Sequence, residues 1–148
     1  MKIPFLIGRM MFGGFFIYSG INHLVNRKQM AEYTRAKNVP MAEAAVITTG
    51  VMMLAGGTSV VLGIKPKLGT LAILGFLGSV SPVMHDFWRA EDPNQRQADM
   101  AHFAKNLAMV GASLALMGVE EPWPVSVPVA QPTVREQLEG AWKGNAAA

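Results

Sequence analysis

The sequence predicts an all-α integral membrane protein, a four-transmembrane-helix bundle, and three observations carry that expectation. Of its residues 51% are hydrophobic and only 16% charged, a balance too apolar for an ordinary soluble surface. The apolar residues gather into long blocks separated by short charged loops, the pattern by which spans are recognised. Glycine and methionine number 15 and 11. Glycine lets helices in lipid approach closely and methionine fills irregular gaps between them.

The first block, Ile3 to Leu24, would as a helix just cross a hydrocarbon core about 30 Å thick. Lys2 precedes it and Arg9 interrupts it. A cleaved signal peptide also starts basic, but Arg9 breaks the apolar centre and no small-residue cleavage site follows before Asn26, so the block reads as a retained helix. Gln29 to Lys37 then places Met30, Tyr33 and Lys37 at helical spacing, which suggests a short amphipathic helix on the membrane surface; a solvated loop is the alternative.

The second span, Ala42 to Gly63, is bounded by Pro40 and by Lys65-Pro66-Lys67, stop signals at both ends. The third, Leu68 to Met84, contains Pro82, whose missing amide donor must be tolerated by a kink or by neighbouring helices. The fourth, Phe103 to Val119, ends at Glu120-Glu121-Pro122, where two acids and a proline forbid continuation into lipid. Four crossings put both termini on one side. Residues 1–121 thus form the membrane domain. Residues 122–148 form an extension, stiffened by Pro122, Pro124, Pro128 and Pro132, in which Thr133 and Glu136 make a capping box for a final short helix with Val134, Leu138 and Trp142 on its apolar face.

The polar residues carry the functional expectation. His23 ends the first span, His85-Asp86 the third, and His102, Lys105 and Asn106 begin the fourth, so the topology brings all three histidines to one membrane face. Imidazole binds metals or exchanges protons near neutral pH, and a carboxylate can orient it. His23, His85, Asp86 and Asn106 are the candidate ligand-binding residues, with capping of helix ends as the structural alternative. The spacing matches no metal signature, so no metal site is assigned. Arg9 and Lys105 are costly charges in hydrocarbon. Each should reach the interface or find a partner: Glu120 or Glu121 for Arg9, and Asp86 or Glu43 for Lys105. Asn106 is placed to bond Asp86 or the first span. Trp88 and Trp123 read as interface anchors. Without cysteine there is no disulfide, thiolate zinc or iron–sulfur chemistry. The formal charge of +3 lies in loops beside apolar blocks, which points to anionic headgroups rather than nucleic acid.

A weak internal repeat also stands out. Ser19 with His23 mirrors Ser81 with His85, and Gly56-Gly57-Thr58 before Gly63 mirrors Gly111-Ala112-Ser113 before Gly118. This suggests two parallel helical hairpins related about the membrane normal. The recurrence of small residues in any tight bundle gives the same pattern without a repeat.

Residues 5 to 119 resemble the DoxX family of small four-helix membrane proteins. The resemblance rests on Arg9, Ser19-Gly20-Ile21, Val39-Pro40, Gly56-Gly57 with Leu62-Gly63, His85-Asp86-Phe87-Trp88, and Lys105-Asn106-Leu107 with Gly111. The chain departs from the family at His23, where lysine is common, and at Met53, where an acid often precedes the glycine pair. What the resemblance implies is an accessory or anchor subunit of a quinone-linked membrane electron-transfer complex, with lipid and other membrane subunits as partners and a quinone headgroup near His85, Asp86 and Asn106. Its expected location is the plasma membrane of a bacterium or archaeon. A redox centre of its own is not expected, since the sequence has no haem-attachment motif or nucleotide fingerprint. A stand-alone carrier or channel built from the two hairpins is the rival reading, and an enzyme acting through the histidine face a third.

Overall fold

The computed structural model describes residues 2–128, and among them every regular element is helical: α1 (Lys2–Val25), α2 (Arg27–Ala36), α3 (Ala42–Leu62), α4 (Pro66–Met84) and α5 (Pro93–Met117). The expected final helix, with its capping box at Thr133 and Glu136, lies outside the described residues. Three helices are long and apolar enough to cross a membrane, over Ile3–Val25, Ala42–Leu62 and Pro66–Met84. They carry exposed Ile7, Met11, Tyr18, Val51, Leu68 and Leu71, a surface that suits hydrocarbon rather than water.

Local chemistry sets the helix ends. α3 closes on Gly63 at φ 69°, a left-handed position that glycine fills without strain. α4 starts with Pro66 at its first turn, where a missing amide costs nothing, and it continues through Pro82, in its last turn, to Met84. α5 corrects the expected start at Phe103. Asp92 caps it, accepting from the Gln95 amide at 2.8 Å, and Pro93 opens the helix ten residues before its apolar part. That polar first half carries Asp99, His102, Lys105 and Asn106, and α5 is not among the three helices apolar enough by length and composition to span.

Packing runs from α1 to α3 to α4 to α5, with α2 laid across α3. Glycine makes the closest approaches. A methyl group at Gly57 would lie 2.6 Å from the Gly13 carbonyl oxygen, and one at Gly20 would lie 2.7 Å from that of Gly50. Gly13 and Gly20 are two turns apart, as are Gly50 and Gly57, so two antiparallel helices touch backbone to backbone at both levels. α3 meets α4 in the same way, where a methyl at Gly56 would sit 2.7 Å from the Gly69 carbonyl. Gly111, the expected counterpart of Gly56 in α5, has no atom within 4 Å of its would-be Cβ, and Gly118 is right-handed where Gly63 is left-handed. The two hairpins are therefore not packed as copies.

The core gathers Phe16, Met53, Val60, Ile73, Leu77 and Trp123. Trp123 corrects the expectation of an interface anchor: it is 2% exposed, its ring edge-on to Phe5 at 5.4 Å, because the chain after α5 turns back under the bundle. Trp88 stays half exposed beside Phe87 and Phe103. The returning segment also resolves Arg9. Its buried guanidinium donates to the carbonyls of Pro124 at 3.0 Å and Val125 at 2.8 Å, in place of the expected Glu120 or Glu121. Two converging carbonyl dipoles engage both terminal nitrogens without the desolvation of a carboxylate, while the buried Nε has no hydrogen-bond partner among the described residues. Glu121 instead accepts from the Lys67 amide.

Candidate functional site

The ends of α1 and α4, the whole of α2 and the polar half of α5 meet at the membrane face opposite Arg9. His23 lies in the last turn of α1, its Nδ1 2.9 Å from the Ser19 carbonyl and its ring edge-on to Phe76. His85 caps α4, its backbone amide donating to the Ser81 carbonyl at 3.1 Å. Its Nδ1 lies 3.3 Å from Oδ1 of Asp99, and its ring stacks on His102 with centroids 4.9 Å apart.

Asp99 is the centre of the charged network, although it is only 2% exposed. It accepts from Gln95 at 2.9 Å and lies 3.8 Å from the Lys37 ammonium, which donates to Asp86 at 2.6 Å. α2, the α4 terminus and α5 are thus cross-linked by charge. Lys105 takes neither expected carboxylate: Lys37 holds Asp86, Arg27 lies 3.6 Å from Glu43, and the Lys105 ammonium sits 3.4 Å from Nδ1 of His102.

These contacts set protonation. The hydrogen bond to Asp86 holds the Lys37 ammonium above its ordinary range, and the same bond holds the Asp86 carboxyl below its own. Burial would raise Asp99, but hydrogen bonds from Gln95 and His85 and the charge of Lys37 outweigh it and leave the carboxyl lowered. Burial pushes His85 down against the hydrogen bond it donates to Asp99, with His102 and Lys105 adding to the fall. Near neutral pH the arrangement is a neutral imidazole resting on an ionised, buried carboxylate.

Beside the network is a cavity of about 510 Å³. Phe15 and Phe16 of α1, Val46 and Met53 of α3, and Phe76 and Val80 of α4 make its apolar walls. Its polar end holds His23, His85, Lys105 and Asn106, with Tyr33 and Thr34 of α2 over it. The size and the few converging polar groups suit a small organic ligand. α2 is the expected short amphipathic helix after the first span, and its inner face, with Ala31 and Thr34 buried, packs on the bundle.

Three of the four candidate ligand residues, His23, His85 and Asn106, therefore border one cavity, and Asp86 stands behind them through Lys37. No hydrogen bond joins Asn106 to Asp86 or to α1 among the described residues. Sequence reasoning missed Lys37 and Asp99. A signal for Asp99 existed: a helix begun at Asp92-Pro93 puts Asp99, His102 and Asn106 at intervals of three and four, on one face. Among the described residues no group of three or more histidine or acidic side chains is arranged to hold a metal ion.

The DoxX family model matches residues 5–86, more than half of the chain. The chain belongs to the DoxX family. The match runs from α1 to the end of α4 and takes in Arg9, His23, Lys37, His85 and Asp86, while the α5 residues stand beyond it. With its apolar helices, membership makes this DoxX protein an integral membrane protein suited to a lipid bilayer. No curated protein and no solved structure matches the chain.

Proposed function

We propose that this DoxX protein is an accessory or anchor subunit of a quinone-linked membrane electron-transfer complex in a bacterial or archaeal plasma membrane, holding a quinone-type headgroup in the cavity between α1 and α5. One observation carries the reading: an apolar cavity of about 510 Å³ ends in imidazole, amide and ammonium groups at the depth where the spans finish. An amphiphile with a polar aromatic head and an apolar tail fits that gradient, its head against His23, His85 and Asn106 and its tail along Phe15, Phe76 and the lipid. Electrons would be exchanged with a partner subunit. In this reading α5 is the fourth crossing, inserted from about Lys105 onward, and its exposed Leu107 and Leu114 face lipid or a partner helix.

Extraction of the tagged chain from its native membrane in mild detergent tests the assignment. Recovery with oxidoreductase subunits and solvent-extractable quinone is the expected result. The rival carrier has lost support, because the hairpins it needs are not packed alike. A chain that purifies alone, free of quinone, and transports solute in liposomes would reverse the ranking.

A further inference from the structure

Both imidazoles on the cavity are tied down by groups that can only accept. A backbone carbonyl has no proton, so the 2.9 Å contact with Ser19 puts the His23 proton on Nδ1. The Asp99 carboxylate is ionised and already accepts from Gln95, so its 3.3 Å contact with His85 likewise puts that ring's proton on Nδ1. In each neutral ring the remaining nitrogen, Nε2, is then a bare lone pair. Neither Nε2 has a hydrogen-bond partner in the described protein, and neither is among the fully buried orphan atoms. Both rings border the cavity.

Resting on the reading that a quinone-type headgroup occupies this cavity, we infer that the cavity selects the reduced, hydroxyl-bearing form: a quinol in preference to the quinone. A quinol presents two O–H donors, which two fixed acceptors can satisfy. A quinone presents two carbonyl acceptors, which would face two lone pairs. Sites built around one hydrogen-bond polarity reject an analogue that lacks the matching group far more strongly than apolar pockets reject a change of size. Asn106 offers both a donor and an acceptor and answers to either form. Lys105 directs one of its three donors at His102, and its exposed side chain leaves the other two open to solvent. The histidines therefore decide. Asp99 is a positioning residue in this scheme, since it acts on the ligand only by fixing the proton of His85.

The test uses the full chain in lipid nanodiscs, kept anaerobic, with three probes of one skeleton: a decyl-substituted benzoquinone, its hydroquinone, and the dimethyl ether of that hydroquinone. Calorimetry should find the hydroquinone bound at least about tenfold tighter than either of the others. Equal affinities, or a tighter quinone, overturn the selection and leave occupancy of the cavity intact. Failure of all three to bind overturns both. Asp99→Asn keeps the shape but can offer His85 an amide donor as well as an acceptor, so the preference should narrow several-fold while the ether's affinity stays unchanged. Nitrogen NMR of the imidazoles gives a check that does not depend on ligand: protons on Nδ1 of His23 and His85 are expected, and a proton on Nε2 of either ring removes the basis of the inference.

Discussion

The guanidinium of Arg9 donates to the Val125 carbonyl at 2.8 Å, joining the second turn of the first helix to a segment 116 residues further along the chain. A second donor reaches Pro124, Ser126 lies at 3.5 Å, and the Val127 amide bonds the Leu62 carbonyl beside them. Arg9 thus clasps the returning chain that seats Trp123 in the core. Arg9→Met should leave the part-buried carbonyls of Pro124 and Val125 without their donors and lower stability by about 1–3 kcal/mol. Arg9→Lys, whose single ammonium lacks the fork of two donors, should recover only part of that. Thermal unfolding in detergent measures the loss, and limited proteolysis near Trp123 should speed up in parallel. Unchanged resistance in Arg9→Met would show that the clasp contributes nothing.

The glycine contacts separate close approach from mere abundance. Gly57→Ala would drive a methyl to 2.6 Å from the Gly13 carbonyl and 2.9 Å from the Ile17 amide, backbone atoms that can move only if the helices part. A loss of about 1–3 kcal/mol is expected, as for overpacked cores. Gly14→Ala and Gly111→Ala meet nothing within 4 Å and should be neutral or stabilising by up to about 1 kcal/mol. The thermal midpoints of the three variants decide the matter. Equal losses at Gly57 and Gly111 would restore the equivalence of the two hairpins that the packing denies.

Stability should depend on pH from both sides. The folded pKa values of Asp86 and Asp99 lie below the ordinary 3.8, so their contribution is present above that value and is lost as pH falls through the lower folded values. His85 is also lowered from its ordinary 6.5, so the unfolded chain takes up its proton first and stability already declines as pH drops below 6.5. Lys37 is raised above its ordinary 10.5; its contribution is complete below that value and is lost as pH rises through the folded value. The thermal midpoint should therefore sag gently below 6.5, fall steeply in stronger acid and fall again in strong alkali. His85→Phe should flatten the first limb, soften the acid limb by the share of the Asp99 shift that His85 supplies, and spare the alkaline one. If that variant keeps the full decline below 6.5, His85 is not its source.

Much of this architecture was legible because a span is a local pattern: α1, α3 and α4 follow from apolar blocks and their flanking prolines and lysines. The gathering of the histidines was legible too, since helix ends alternate sides whatever the packing. The partners were not. Nothing near Arg9 in sequence announces Val125, and the rule that proline ends a helix says nothing about where the chain goes next, so Trp123 was placed in the interface rather than in the core. Lys37 and Asp99 were missed for a related reason. Each lies in a polar stretch that reads as solvated, and only the docking of α2 and the early start of α5 turn those stretches inward around one buried carboxylate.

The fourth crossing can be decided with a single thiol, because the chain has no cysteine of its own. Arg96 and Leu114 both lie on exposed faces of α5, so the protein shields neither and any difference in reactivity must come from the surroundings. If α5 enters hydrocarbon after Lys105, a membrane-impermeant maleimide should label Arg96→Cys quickly in vesicles made leaky to the reagent. Leu114→Cys should react only after detergent is added. The ordering follows from the thiolate, which is the reactive form and is strongly disfavoured in a medium without water. Equal labelling of both sites in the leaky vesicles would place α5 in water. The cavity would then open to solvent rather than to lipid, and an amphiphilic ligand would lose the apolar route by which it is proposed to enter.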